Sequence, residues 1–198
     1  FKMLKRLFDI VFSLFGIIFL LPLFLVLSLL IAIGSKGGVV YVQRRVGKDN
    51  QDFSLFKFRT MFVNSDKKGL LTVGGRDNRI TPLGYFLRKY KLDELPQLFN
   101  VFAGHMSLVG PRPEVRKYVA LYNEEQKKVL SVRPGITDYA SIEHMDENEI
   151  LGASEDTEKT YTEEIMPSKL AINLRYIEEK SLFTDIGIIV KTLKKIIR

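Results

Sequence analysis

The sequence predicts an α+β fold, mostly helical, with an N-terminal membrane helix broken at Pro22, a small β-hairpin and amphipathic helices suited to an interface. Three observations carry this. Residues 10–33 contain no charge, two short β-rich stretches flank a turn-prone "GKDNQD", and later segments start at prolines and place apolar residues three and four apart. A chain of 198 residues, 46% hydrophobic and 27% charged, has the size of one ordinary domain with a real core. We divide it at the end of the apolar run, into residues 1–35 and a second part, 36–198, the two acting as one unit.

The first element is "IVFSLFGIIFLLPLFLVLSLLIAI", long enough as a helix to cross a hydrocarbon core of about 30 Å. It is longer than the core of a signal peptide, and no small-residue cleavage site follows it cleanly. Pro22 removes the amide that would bond the carbonyl of Ile18 and favours a kink. Lys2, Lys5 and Arg6 precede the run, while Lys36, Arg44, Arg45 and Lys48 follow it, so positive charge draws both ends to the cytoplasmic side. A re-entrant hairpin satisfies both flanks; a single-pass anchor with a tolerated proline is the alternative.

The next element is the hairpin, from "GGVVYVQRRVG" and "FSLFKFRTMFV". "EVRKYVALYNEEQKKVL" after Pro113 and "SKLAINLRYIEEK" after Pro167 are predicted as proline-started helices. Residues 143–164 carry nine acidic residues against one lysine with no apolar period, and read as a solvated loop or cap. At the C-terminus Leu182, Phe183, Ile186, Ile189, Val190, Leu193, Ile196 and Ile197 recur at helical spacing among Lys191, Lys194, Lys195 and Arg198. That basic amphipathic helix suits either an anionic interface or the protein's own core.

The chemistry is bounded by what is missing and by charge. With no cysteine, disulfides, thiolate nucleophiles and cysteine zinc sites are excluded. A net charge of +7 predicts an anionic partner: acidic lipid, a phosphorylated small molecule or nucleic acid. Nucleic acid is disfavoured, since the chain has neither a recognised binding motif nor aromatic residues patterned on a basic sheet.

Within "RKYKLDELPQLFN" two adjacent carboxylates, Asp93 and Glu94, stand in a basic and apolar neighbourhood. Pro96 is tolerable only in a first helical turn, so Asp93 reads as an N-cap and Glu94 as a first-turn acid. The same geometry has chemical use, because a non-helical cap residue and its neighbour can turn both carboxylates to one metal or phosphate. Lys57, Arg59, Arg79, Arg88, Arg112 and Arg133 all fall between the hairpin and the acidic segment. Arg112 is restricted between Pro111 and Pro113, and Pro134-Gly135 beside Arg133 suits a type II turn. Any one arginine reads as a surface residue; with the carboxylate pair and the apolar N-terminus, the set reads as a site for a phosphorylated substrate at a bilayer.

"KRLFD", Pro22, "QRRVG", "KFRTM", "RITPLGYFLRKYKLDELPQLFNVFAGHMSLVGPRPE" and "RPGIT" together resemble the bacterial sugar transferases, the monotopic polyprenyl-phosphate phosphoglycosyl transferases, in their minimal form. The resemblance runs over nearly the whole chain. It implies transfer of a sugar-1-phosphate from a UDP-sugar to polyprenyl (undecaprenyl) phosphate, releasing UMP and opening the assembly of a polysaccharide or other glycoconjugate. It makes Asp93 the nucleophile, through a covalent phosphosugar intermediate, with Glu94 beside it and both as candidate ligands of a required Mg2+. The implied place is the cytoplasmic face of the bacterial inner membrane, among membrane lipids, with residues 36–198 as the catalytic domain and the helix re-entrant at Pro22. Enzymes that add later sugars would receive the product.

Three positions depart from the family's pattern. Leu21 stands where a serine commonly precedes the breaking proline. His105 replaces the acid of a "GDMS" segment, as a substitute polar contact or a structural histidine. "DYASIEHMDENE" follows Thr137 where a "GWAQVNGRN"-like segment is common, which implies a different donor subgroup. Two other classes fit the same residues: an enzyme acting on another lipid-linked phosphate, and a membrane-anchored scaffold.

Overall fold

The computed structural model describes residues 2–65, 71, 77–144 and 146–197. Arg198 and the side chain of Ile197, both counted in the C-terminal helix, lie outside them. The architecture is mostly helical α+β with a small antiparallel hairpin, as the sequence predicts.

Helices α1 (Lys2–Phe19) and α2 (Leu21–Gly34) are bent by 60° with Pro22 in the first turn of the second. Among the described residues no single helix is long and apolar enough to cross a membrane, whereas this bent pair has the length and composition together. Helix α1 is inside-out: its buried residues are Asp9 and Ser13, while Leu7, Phe15, Ile18 and Phe19 are more than half exposed. Asp9 accepts from the Ser107 hydroxyl and the Leu108 amide, both at 3.1 Å, and Lys5 pairs with Asp185 at 2.7 Å. Helix α2 turns Phe24, Leu27 and Ile31 onto Phe58 and Leu87, and leaves Leu25, Leu29 and Ile33 exposed.

Strands β1 (Val40–Val46) and β2 (Asp52–Phe58) pair from Val40 opposite Phe58 to Val46 opposite Asp52. Their connection needs left-handed backbone at Asp49 and Asn50, with φ of 54° and 60°, the residue types that tolerate it best after glycine. Helix α3 (Pro82–Lys89) begins at proline and is capped by Thr81, whose hydroxyl accepts from the Gly84 amide at 3.0 Å. A 3-10 turn, Leu92–Glu94, precedes α4 (Gln97–Ala103), which ends at Gly104 with φ of 92°.

A second sheet escapes the sequence reading: β3 (Ser107–Val109) runs parallel to β4 (Gly135–Thr137). Three residues are too few to show a period. Gly135 does not take the positive φ that a type II turn requires, so the turn expected at Pro134-Gly135 does not form. Its glycine serves close approach instead, because a Cβ there would lie 2.1 Å from the Gly110 amide nitrogen.

The helix expected after Pro113 breaks into α5 (Arg116–Val119) and a 3-10 segment, Gln126–Ser131. Asn123 and Gln126 exchange side-chain bonds to each other's amides at 2.9 and 3.0 Å, which starts a new turn rather than continuing the first. The acidic segment is likewise not a loop. It forms α6 (Tyr139–Glu143) at its start, α7 (Glu147–Ala153) and α8 (Thr157–Thr160), then a π-turn, Tyr161–Ile165, leading into α9 (Met166–Glu179). Leu151, Tyr161 and Ile165 join the main core with Tyr118, Val119 and Leu170. Pieces of 5, 7 and 4 residues are each too short to show a helical period, which hides them in the sequence. Helix α10 (Leu182–Ile197) packs on the core on one face, with Ile188 fully buried against Val109 and Tyr176, and leaves Phe183, Ile186, Val190 and Leu193 exposed.

Candidate active site

The site is assembled from three chain segments. Strand β2 carries Lys57, opposite Tyr41 in the hairpin register. Lys91, in left-handed backbone at φ 54°, turns the chain after α3 so that the next three residues form the 3-10 turn bearing Asp93 and Glu94. This corrects the capping assignment: α4 starts after Pro96 and takes no side-chain cap bond, so Asp93 lies one turn too early to cap it. Arg112 is pinned by its main chain, its amide donating to Asp138 Oδ2 at 2.8 Å while Gly135 donates to the Pro111 carbonyl at 3.0 Å.

The two carboxylates are buried alike, 6% and 7% exposed, yet differently engaged. Glu94 Oε1 accepts from Lys57 Nζ at 3.2 Å and from Arg112 Nη2, and Oε2 accepts from Arg112 Nη1 at 3.2 Å. Among the described residues no hydrogen bond or ion pair holds either oxygen of Asp93. Burial opposes ionisation of Glu94, but Arg112 and Lys57 outweigh it and hold this carboxyl well below the usual range. For Asp93 burial prevails over the attraction of Lys57, and Glu94 adds repulsion, so its carboxyl is pushed up. Lys57 is lowered by burial, and Arg112 is raised by Glu94.

The cationic residues singled out in the sequence divide. Lys57 and Arg112 meet on Glu94, and Arg88 lies near enough to Asp93 for their charges to act on one another, its Nε donating to Thr60 Oγ1 at 3.0 Å. Arg59 lines the same cavity as these groups and is also bound elsewhere. Its guanidinium donates to the carbonyls of Ser35 at 2.8 Å and Lys36 at 2.9 Å and closes the C-terminal end of α2. Arg79 forks onto Asp77, and Arg133 donates to the Gly104 carbonyl at 2.7 Å at the end of α4. His105 is exposed and stacks on Phe53, with ring centres 6.1 Å apart.

Three supporting residues were missed in the sequence. Asn100, fully buried, accepts from the Phe56 amide at 3.0 Å and donates to the Ser54 carbonyl at 2.7 Å, pairing α4 to the free edge of β2. Asp138 holds both Arg112 and the start of α6. Glu114, beside Pro113, accepts from Arg45 at 2.9 Å and from the Tyr161 hydroxyl. An Asp ahead of "YAS" is a legible cap signal; the other two depend on contacts across the fold.

A cavity of about 1120 Å³ brings these groups together, lined by Lys57, Arg88, Asp93, Glu94 and Arg112 and, on α1, by Phe12 and Gly16. Such a space can take an anionic, partly apolar molecule with its phosphate near Asp93. Among the described residues no group of three or more His, Asp or Glu side chains is placed to hold a metal ion by itself.

The family model for bacterial sugar transferases matches residues 1–198. The chain belongs to the bacterial sugar transferase family. It is 38% identical, over 98% of its length, to a UDP-N-acetylgalactosamine-undecaprenyl-phosphate N-acetylgalactosaminephosphotransferase of Aeromonas hydrophila. It is 34% identical, again over 98%, to a UDP-glucose:undecaprenyl-phosphate glucose-1-phosphate transferase of Escherichia coli. The chain spans 44% and 40% of those two relatives. Against the exopolysaccharide production protein ExoY of Rhizobium meliloti it is 32% identical over 96% of its own length and 84% of the relative's. The names of the first two relatives give a UDP-sugar and undecaprenyl phosphate as their substrates.

Proposed function

We propose that this sugar transferase moves a sugar-1-phosphate from a UDP-sugar to polyprenyl phosphate, with Asp93 as nucleophile. The observation that carries the assignment of roles is the unequal engagement of the two carboxylates: Glu94 is committed to Lys57 and Arg112, while Asp93 is buried beside them with neither oxygen hydrogen-bonded among the described residues. An Asp93 oxygen attacks the phosphorus that bears the sugar, and the bond from that phosphorus to the UMP oxygen breaks. UMP leaves with the electron pair. An oxygen of polyprenyl phosphate then attacks the same phosphorus, the bond to Asp93 breaks, and the free carboxylate returns with polyprenyl-diphosphate-sugar as product.

A carboxylate approaching an anionic diphosphate meets like-charge repulsion, and Arg112, Lys57 and Arg88 supply the opposing field. Glu94 fixes two of these cations in place before substrate arrives. The donor set fits a magnesium ion shared with substrate: Oε2 of Glu94 accepts one bond and keeps a lone pair, and Mg2+ ordinarily takes one or two carboxylates plus phosphate oxygens. Bound there with Asp93 and Glu94, it would neutralise charge on the diphosphate.

The N-terminal helices support work at a bilayer. Arms of 18 and 14 residues are about 27 and 21 Å long. With both outer ends at the surface, a 60° bend puts the apex only about 12 Å deep, within one leaflet of a core about 30 Å thick. The exposed apolar side chains of α1 and α2 then face lipid, both basic flanks stay on the cytoplasmic side, and Asp9 and Ser13 face protein.

The test is UMP release from a panel of UDP-sugars by the protein in detergent, with magnesium and undecaprenyl phosphate, beside Asp93→Asn. Release that needs both lipid and Asp93, with a phosphosugar mass increment on the wild type before lipid is added, is the expected result. Turnover retained in Asp93→Asn would remove the nucleophile assignment.

A further inference from the structure

The cavity that contains Asp93 has a second polar region that the phosphoryl transfer does not use. Ser141, His144, Glu147, Asn148 and Lys169 line it, from α6, α7 and α9. Lys169 Nζ lies 2.7 Å from Glu147 Oε2, with the two side chains only 14% and 24% exposed, and His144 Nε2 is 3.1 Å from Ser168 Oγ. The region is continuous with the reaction centre. Lys169 sits 5.9 Å from the centre of the Tyr161 ring, and the Tyr161 hydroxyl bonds Glu114, two residues beyond Arg112. The Glu147–Lys169 pair and Asp93 thus line one cavity.

The chemistry of the wall matches ring hydroxyls. A carboxylate only accepts, at several lone-pair sites, and takes bonds from two adjacent hydroxyls; an ammonium only donates, and gives one to a hydroxyl oxygen. Neighbouring hydroxyl oxygens on a pyranose are about one hydrogen-bond length apart, ~2.8 Å, like the Glu147–Lys169 pair itself. A trans amide fits less well, because its N–H and C=O point in opposite directions and one pair cannot serve both.

We propose that Glu147 and Lys169 form the sugar-reading part of the site and bind a vicinal diol on the transferred pyranose. The donor class is then a hexose or N-acetylhexosamine with two adjacent free ring hydroxyls, and sugars without such a pair are rejected. This rests on the transferase reading above. It also explains the departure of "DYASIEHMDENE" from the common family pattern, since that segment supplies Ser141, His144, Glu147 and Asn148 to the cavity.

The experiment compares kcat/KM for UMP release from UDP-glucose, UDP-N-acetylgalactosamine and their 3-deoxy and 4-deoxy analogues. Wild-type protein should disfavour the analogue lacking the bound hydroxyl by about 10- to 100-fold, as removal of a charged hydrogen bond predicts. In Glu147→Gln and Lys169→Met that ratio should shrink towards one, while inhibition by UMP, which carries no sugar, stays at the wild-type value. A merely structural pair would lower all donors together and leave the ratio intact, and that result overturns the proposal. If either variant fails to fold, the wild-type ratio decides: equal use of a deoxy donor and its parent sinks the diol site. Absence of UMP release from every donor would overturn the transferase reading itself and this proposal with it.

Discussion

Pro22→Ala is the substitution for which reasoning from the helix alone and reasoning from the fold part company. Restoring the missing amide favours a straight helix by about 3 kcal/mol, and the 24 uncharged residues would then be long enough to span. Straightening, however, pulls α2 off the protein. Its own Phe24, Leu27 and Ile31 lose little, because lipid is as apolar as the core they leave. The cost falls on what stays behind. Phe58 and Leu87, 3% and 0% exposed, lose their cover at about 1.5–3 kcal/mol each. Arg59, buried to 8% exposure, loses the Ser35 and Lys36 carbonyls at a further 1.5–3 kcal/mol per bond. The sum exceeds the gain severalfold, so the bend should persist in Pro22→Ala. The chain has no cysteine, so single Lys2→Cys and Lys36→Cys probes report cleanly on sidedness in vesicles. Both should label from the same side with or without Pro22. Labelling of the Lys36→Cys site from the opposite side only in Pro22→Ala would refute the view that packing and Arg59, rather than proline, hold the bend.

Further outcomes follow from the same contacts. Arg59→Met should free the end of α2 and destabilise the protein by about 3 kcal/mol, read as a lower denaturation midpoint, while the Asp93 adduct still forms in the folded fraction. Glu94→Gln strips Lys57 and Arg112 of their shared partner and should cost about 3–5 kcal/mol, whereas Asp93→Asn removes a carboxylate that burial disfavours and should cost far less; an equal loss in both variants would contradict their unequal engagement. In the pH dependence, Asp93 must be ionised to attack and its carboxyl is pushed up, so adduct formation should fall on acidification with an apparent pKa above 3.8. Stability from Glu94 runs on a different limb: its carboxyl is depressed, so its contribution is complete above 4.5 and is lost only as pH falls through its lower folded value. Activity should therefore disappear at a higher pH than the fold, and simultaneous loss would argue against the assignment.

The hairpin, α9 and α10 could be read from the chain because each carries its own period or turn chemistry, as in "GKDNQD" at the β-turn or Pro167 at the start of a helix. The carboxylate pair and the apolar run with its proline were legible for the same reason: they are contiguous. Other features needed the fold. Nothing local separates Arg112, aimed at Glu94, from Arg59, spent on α2, or Arg133, spent on Gly104, since an arginine's task is set by whatever acceptors the tertiary structure brings within reach. The β3–β4 pair is invisible at three residues per strand and exists because two glycines let the chains close on each other. Likewise Asp93 and Glu94 are neighbours of like chemistry in the sequence, and only the placement of Lys57 on β2 and Arg112 between its prolines makes Glu94 a fixed anchor for cations and leaves Asp93 with no hydrogen-bond partner among the described residues. Sequence determines what is adjacent along the chain; the lowered carboxyl of Glu94 comes from groups 18 and 37 residues away and the raised one of Asp93 from burial, and both are set by the hydrophobic packing of α2, β2 and α3.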